Sequence, residues 1–186
     1  MIIDPTDFVD RPYKVPNQQE SGDFTSFIEE KETELAEEYL LGVELWAAFQ
    51  AGLDTSGTIE QRWLNLRDGA TYVRNNKTYR YKGWVDTIRP GIYSLWQPVG
   101  TWKFTNVGWV ENKANSAPQA GNQTQFIEDQ YVFHVQYWND FAKKVGYDPH
   151  CAYNCINTLY GFLKANESDY DDWVFKCPTF KNRHDL

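Results

Sequence analysis

His150, Cys151, Cys155 and Cys177 come nearest, in type and spacing, to a metal-binding set in this chain. Thiolates four positions apart on a helix can share a zinc ion, and a neighbouring imidazole would add a further ligand. The spacing lacks the paired C-x-x-C knuckles of structural zinc sites, so buried free thiols are the plainer reading and no bound metal is expected. The stretch "NESDYDDW" gathers Glu167, Asp169, Asp171 and Asp172. It lacks the glycine and closing glutamate of a calcium-binding EF-hand loop and reads as an exposed acidic turn. His134, near the apolar side of a helical segment, is expected to be a hydrogen-bonded core or boundary residue rather than a ligand. Phosphate-cradling loops, nucleophile elbows and H-E-x-x-H motifs do not occur in the sequence. Carboxylates are numerous enough for a glycosidase pair, but nothing singles out two of them. Neither an enzyme nor a cofactor is expected.

The elements that would position these residues have to come from a chain of 186 residues, enough for one domain with a sizeable core. Its net charge of -8 argues against general attraction to a nucleic-acid backbone. Aromatic residues make up 17% of the sequence, and this excess is expected to serve contact surfaces. The first ten residues carry no export signal, no apolar run is long enough to span a membrane, and three cysteines suit a disulfide framework poorly, so synthesis in a reducing cytoplasm is expected.

Residues 1–22 contain Pro5, Pro12 and Pro16 among apolar anchors and read as an extended N-terminal arm that docks on its own body or on a neighbour. A helix is predicted from Asp23 to Phe49, with Ser26 and Glu29 spaced as a capping box and an acidic face of Glu29, Glu30, Glu32, Glu34, Glu37 and Glu38. That face is ordinarily just a solvated one. A short helix with Thr58 as its cap stops at Gly69, and a hairpin over 70–82 turns at Asn75 and Asn76. An isolated hairpin is marginal in water, so this one must lean on something. A third helix runs past Ile88 and Trp96 and is expected to kink or break at Pro90. An extended segment through Trp102, Phe104 and Val107 follows, then a mobile loop over 111–125. The fourth helix, Ile127 to Val145, ends at Gly146. A fifth starts from Asp148 and Pro149 and carries Ile156, Leu159 and Leu163; a strand at "WVFKC" and a tail over 176–186 close the chain. The fold class is mainly α: a bundle of four to five helices over 23–175, with a hairpin insertion and extended arms at both ends.

The order of these elements, with the phrases "RWLNLRDGATY", "YKGW" and "TLYGFLKANESDYDDW", resembles the head-tail connector (adaptor) proteins of tailed bacteriophages, of the crAss-like phage type. The resemblance spans roughly residues 23–175. It implies a structural virion protein of the phage neck: a self-assembling ring, commonly twelvefold, beneath the portal protein and above tail or further neck proteins. DNA would pass through without specific binding, and no membrane is involved. On this reading Ile2, Ile3, Phe8, Val9, Tyr13, Tyr79, Tyr81, Trp102, Phe104, Trp109 and Phe180 are interface residues. Glu30, Glu34 and Glu37 line the channel and repel phosphates. Deleting residues 1–15 should then leave the fold intact and prevent incorporation. The alternative is a carbohydrate-binding virion or surface module using Trp84, Trp96, Trp102 and Trp109, and a hydrolase using two of the acids is a third reading.

Overall fold

The computed structural model describes residues 1–10, 12–15, 21–100, 102–105, 108–111, 123–146, 156–170, 173 and 175–176, with side chains left out at 21–22, 97–100, 102–105, 108–111, 123–131 and 133. Among the described residues six α-helices occur: α1 (Ser21–Leu35), α2 (Val43–Leu53), α3 (Gln61–Asp68), α4 (Trp84–Gly100), α5 (Gln123–Val145) and α6 (Leu159–Ala165). Two antiparallel hairpins accompany them, β1 (Ala70–Arg74) with β2 (Lys77–Tyr81) and β3 (Trp102–Thr105) with β4 (Gly108–Glu111). The architecture is therefore the expected mainly helical bundle with a hairpin. No helix among the described residues is long and apolar enough to cross a membrane.

α4 and α5 pack along one another, and Trp138, Phe141 and Val145 of α5 face the core beside Ile88, Ile92 and Trp96 of α4. α4 continues through Pro90 as one helix, against the expected break. The proline does remove the bond to the Asp86 carbonyl, but the Lys144 ammonium of α5 donates to that carbonyl at 3.0 Å and to Asp86 Oδ1 at 3.1 Å. A neighbouring helix thus supplies the donor that the proline removes, and the helix is not interrupted there.

The helix predicted over 23–49 is two helices. After Leu35 the chain widens into a π turn, Ala36–Leu40, closed by Leu41 N donating to Ala36 O at 2.8 Å, and Gly42 at φ 82 redirects it into α2. Ser26 lies inside α1 and is no cap. α3 starts at Gln61 behind Glu60, without the Thr58 cap, and stops at Gly69 as expected. The stretch at Trp102 is a second hairpin, with Phe104 paired to Trp109. Of the loop expected at 111–125, Glu111 belongs to β4 and 123–125 to α5, while 112–122 lie outside the described residues. α5 ends before Gly146 as expected. α6 begins only at Leu159, where the Thr158 hydroxyl accepts from Gly161 N at 3.1 Å; Ile156 is exposed in the preceding turn, and Asp148 and Pro149 lie outside the described residues. Trp173, Phe175 and Lys176 are in no strand.

The hairpin leans on its own chain. Asn75 and Asn76 both take positive φ, 51° and 59°, the pair of values a two-residue type I′ turn requires. On its inner face Tyr81 stacks on Phe162 of α6 at 4.8 Å and Tyr72 meets the same ring edge-on at 6.0 Å. Asn157, just before α6, ties the two strands down: its N–H donates to the Tyr72 hydroxyl at 3.1 Å and its Oδ1 accepts from Arg80 N at 2.8 Å.

Residues 1–10 and 12–15 do not form an extended arm. Asp4 caps a 3₁₀ turn, Pro5–Phe8, by accepting from Thr6 N at 2.6 Å, while Asp7 Oδ2 accepts from Asp4 N at 2.9 Å. Ile3, Phe8, Tyr13 and Val15 are buried in the main core, with Phe8 edge-on to Phe24 at 5.1 Å. The aromatic excess largely builds that core: Trp46, Trp63, Trp84, Trp96 and Trp138 are all inside it.

Candidate functional site

Glu32 was expected on a solvated acidic face and is instead fully buried. Its place four residues after Ile28 and three before Leu35 puts it on the apolar stripe of α1, a spacing already present in the sequence. Ile2 N donates to its Oε2 at 2.8 Å, and Ile3 N and the Trp84 indole donate to its Oε1 at 3.2 and 2.8 Å. One carboxylate thereby joins the N-terminal segment, α1 and α4. Burial raises its pKa above the ordinary 4.5 despite the three donors, which pull the other way.

The sign of the resulting pH dependence follows. A carboxyl that binds its proton more tightly folded than unfolded contributes stability in full below the unfolded value and loses it as pH rises through the raised one. Urea unfolding of Glu32→Gln is therefore expected to lack part of the stability decline that the wild type shows above pH 4.5. Glu32→Leu is expected to cost about 2–4 kcal/mol at neutral pH, since the buried Ile3 amide and Trp84 indole lose their acceptor. Equal pH profiles for wild type and Glu32→Gln would remove the carboxylate from this role.

A second set of bonds fastens residues 7–15. The Tyr13 hydroxyl donates to Asp140 Oδ2 in α5, and the Arg89 guanidinium lies 4.8 Å from the Tyr13 ring while donating to Asp7 O at 3.1 Å. Burial, then the Asp140 contact, pushes the Tyr13 phenol far above its usual range. Tyr93 and Tyr137 hydroxyls donate to Lys14 O and Pro12 O at 3.3 and 3.5 Å. Beside the N-terminus lies a cleft of about 490 Å³ between Met1 and Ile2 on one side and Gln50, Asp54 and Arg67 on the other. Arg67 is already engaged by Asp68 through two bonds of 2.7 and 2.8 Å, which leaves the cleft no poised anion clamp.

Of the residues expected at an intersubunit interface, Ile3, Phe8, Tyr13 and Tyr81 are buried in the chain's own core, so their apolar surface is already covered and is not offered to a neighbour. Ile2 and Tyr79 are half-buried, Tyr79 lying 5.8 Å from Tyr72, and Val9 is 51% exposed. Trp102, Phe104 and Trp109 lie in β3 and β4 with side chains outside the described set, and Phe180 lies outside the described residues. Glu30 is exposed, and Glu34 and Glu37 are half-buried. The Lys31 ammonium sits between Glu30 and Glu34 at 2.8 and 2.6 Å, and these bonds raise its pKa. Two of the three acids assigned to a channel thus share one cation.

His134 Nδ1 lies 3.1 Å from Ser94 O and its ring stacks toward Trp138, the boundary role expected for it. His150, Cys151, Cys155 and Cys177 lie outside the described residues, and no metal-holding group of acids, cysteines and histidines occurs among the described ones. In the acidic turn, Glu167 is paired with Lys164 at 2.8 Å, and Asp171 and Asp172 lie outside the described residues. Trp84 and Trp96 are buried, so neither can stack on a sugar. No protein-family model, curated protein or solved structure matches the chain.

Proposed function

We propose that the chain is a structural virion protein, a subunit of a ring in the neck of a tailed phage that joins the portal protein to the tail and surrounds the DNA channel. The observation that carries this reading is the β1–β2 hairpin. Its inner face packs on its own α6, so its outer face, formed by the exposed Thr71, Val73, Thr78 and Arg80, is open to another molecule. A second surface of different chemistry lies on α1 and its π turn, where Glu29, Glu30 and Glu38 are exposed. Two unlike surfaces on one rigid body are what a heterologous, ring-closing contact requires. Acids turned to the axis would let DNA slide without adhering.

A tag on the C-terminus, located on purified particles, tests the reading. Signal confined to the neck is the expected result, and signal on the capsid surface or tail tip would overturn it. Within such particles, replacing Glu30, Glu34 and Glu37 by Gln is expected to slow genome passage in packaging or ejection assays. Unchanged kinetics would remove the acids from the channel wall.

A further inference from the structure

The hairpin carries a charge pattern opposite to that of the chain. Between Arg74 and Lys82 lie four cations and no acid, in a protein of net charge -8. Lys31, Arg62, Arg67, Lys144 and Lys164 each have a carboxylate within 3.1 Å. Arg74, Lys77, Arg80 and Lys82 have none among the described residues. Arg74 is half-buried on the register of Tyr72, so the cations most open to a partner are Lys77, Arg80 and Lys82. On the same face as Arg80, Val73 is 64% exposed, the most exposed large apolar side chain among the described residues.

The next most exposed is Val43, at 58%, and its surroundings are the complement. It opens α2 directly after the π turn, flanked along the chain by Glu37, Glu38 and Glu44, which have no cation partner among the described residues. The hairpin, held down on α6, forms no ion pair with these acids within one chain. Each patch thus pairs an uncovered valine with charge of one sign that has no ion-pair partner among the described residues, and the two signs are opposite.

We propose that the hairpin of one copy docks on the π-turn shoulder of a second copy, with Val73 against Val43, and with Arg80 of the same face and the exposed Lys77 beside the turn reaching Glu37, Glu38 and Glu44. The occupant is a second copy because both halves of the complementary pair lie on this chain, while its net charge disfavours nucleic acid. Because the two patches differ, the contact runs head to tail and generates a ring or an open filament. This deepens the neck-ring reading and rests on it for closure into a ring, though the contact itself does not need the virion.

Mass photometry and sedimentation velocity of the full chain over a concentration series, at about 50 mM and about 500 mM salt, test the contact. Association that weakens in the higher salt is expected. Lys77→Glu with Arg80→Glu, and separately Glu38→Lys with Glu44→Lys, are each expected to weaken it by at least about tenfold. A mixture of the two reversed chains is expected to regain assembly, because each hairpin then finds a shoulder of opposite charge. Unaltered circular-dichroism melting of each variant serves as the folding control. Association that ignores both reversals would overturn the contact and leave the neck ring standing, whereas rescued assembly with a tag outside the neck would do the reverse. A wild-type chain that stays monomeric at both salts, or a duplex-DNA shift lost with Lys77→Glu and Arg80→Glu, would also overturn it.

Discussion

Deletion of residues 1–15 is expected to destroy cooperative folding rather than yield a sound body lacking an arm. Four side chains of this segment, Ile3, Phe8, Tyr13 and Val15, are at most 8% exposed. Its backbone also supplies two of the three donors to the buried Glu32 carboxylate. Removing it would turn the rings of Phe24, Tyr93 and Tyr137, which pack on Phe8 and Tyr13, toward water. The shortened chain recovers the backbone entropy of ordering, about 1–2 kcal/mol per residue, so a point substitution gives the cleaner figure. Phe8→Ala is expected to cost about 3–5 kcal/mol, the usual loss for a truncated core phenylalanine. That is a large part of the roughly 5–15 kcal/mol that separates folded from unfolded domains. Urea unfolding measures the point variant, while dye binding and the loss of a sharp thermal transition report on the deletion. A truncated chain that still unfolds cooperatively near the wild-type midpoint would show that the segment is dispensable. If the deletion behaves as expected, its failure to enter particles would say nothing about an interface, and Val9, exposed on this segment, becomes the residue to change instead.

Elements whose cause is local were legible in the sequence. α5 keeps its apolar period from Ile127 to Val145, and the Asn75–Asn76 turn sits between two runs of β-formers, so both could be read without any partner. Where the deciding partner is distant, local rules misled. Pro90 removes a hydrogen bond as any proline does, and Lys144, 58 residues away from Asp86, supplies a donor to the freed carbonyl of the continuous helix. The junction between α1 and α2 hid for another reason: the period of Leu35, Tyr39, Trp46 and Phe49 carries through a π turn almost undisturbed, and Gly42 was the one mark of the break.

The surfaces divide in the same way. Apolar residues among the prolines of 1–15 announced that this segment docks, but no local pattern says whether the body beneath belongs to the same chain. Glu32 was legible, since its spacing from Ile28 and Leu35 is helical, but it was masked by five other glutamates within the same stretch. The cations of the hairpin were visible as a run. Their lack of a carboxylate partner among the described residues was not, because pairing depends on which acids the fold brings near.

Gly83→Ala and Gly69→Ala are each expected to cost more than about 3 kcal/mol, the sum of an unfavourable φ and a backbone collision. The chain enters the hairpin at Gly69 and leaves it at Gly83, and these two points touch. A Cβ on Gly69 would fall 2.5 Å from Tyr81 O and 2.8 Å from Gly83 N; one on Gly83 would fall 2.6 Å from Arg67 O. Both residues have positive φ, 91° and 102°, and Gly69 has ψ 158°, a region open almost solely to glycine. No side-chain rotation can relieve these contacts, because every atom in the way is backbone. The base of the hairpin would have to open, tilting Tyr72 and Tyr81 away from Phe162. The double variant is expected to cost clearly less than the sum of the two, since both substitutions break the same crossing. Gly57→Ala supplies the control: its nearest neighbour is Thr55 Oγ1 at 3.7 Å and its φ is unremarkable, so its effect is expected within about 0.5 kcal/mol. Urea titrations of the four variants decide the matter, and a Gly83→Ala chain within about 1 kcal/mol of the wild type would mean that the hairpin is not clamped at its base. The clamp also bears on assembly: it fixes the direction in which Val73 and its cations project, so a variant that survives folding with a tilted hairpin should lose head-to-tail association with every charge still in place.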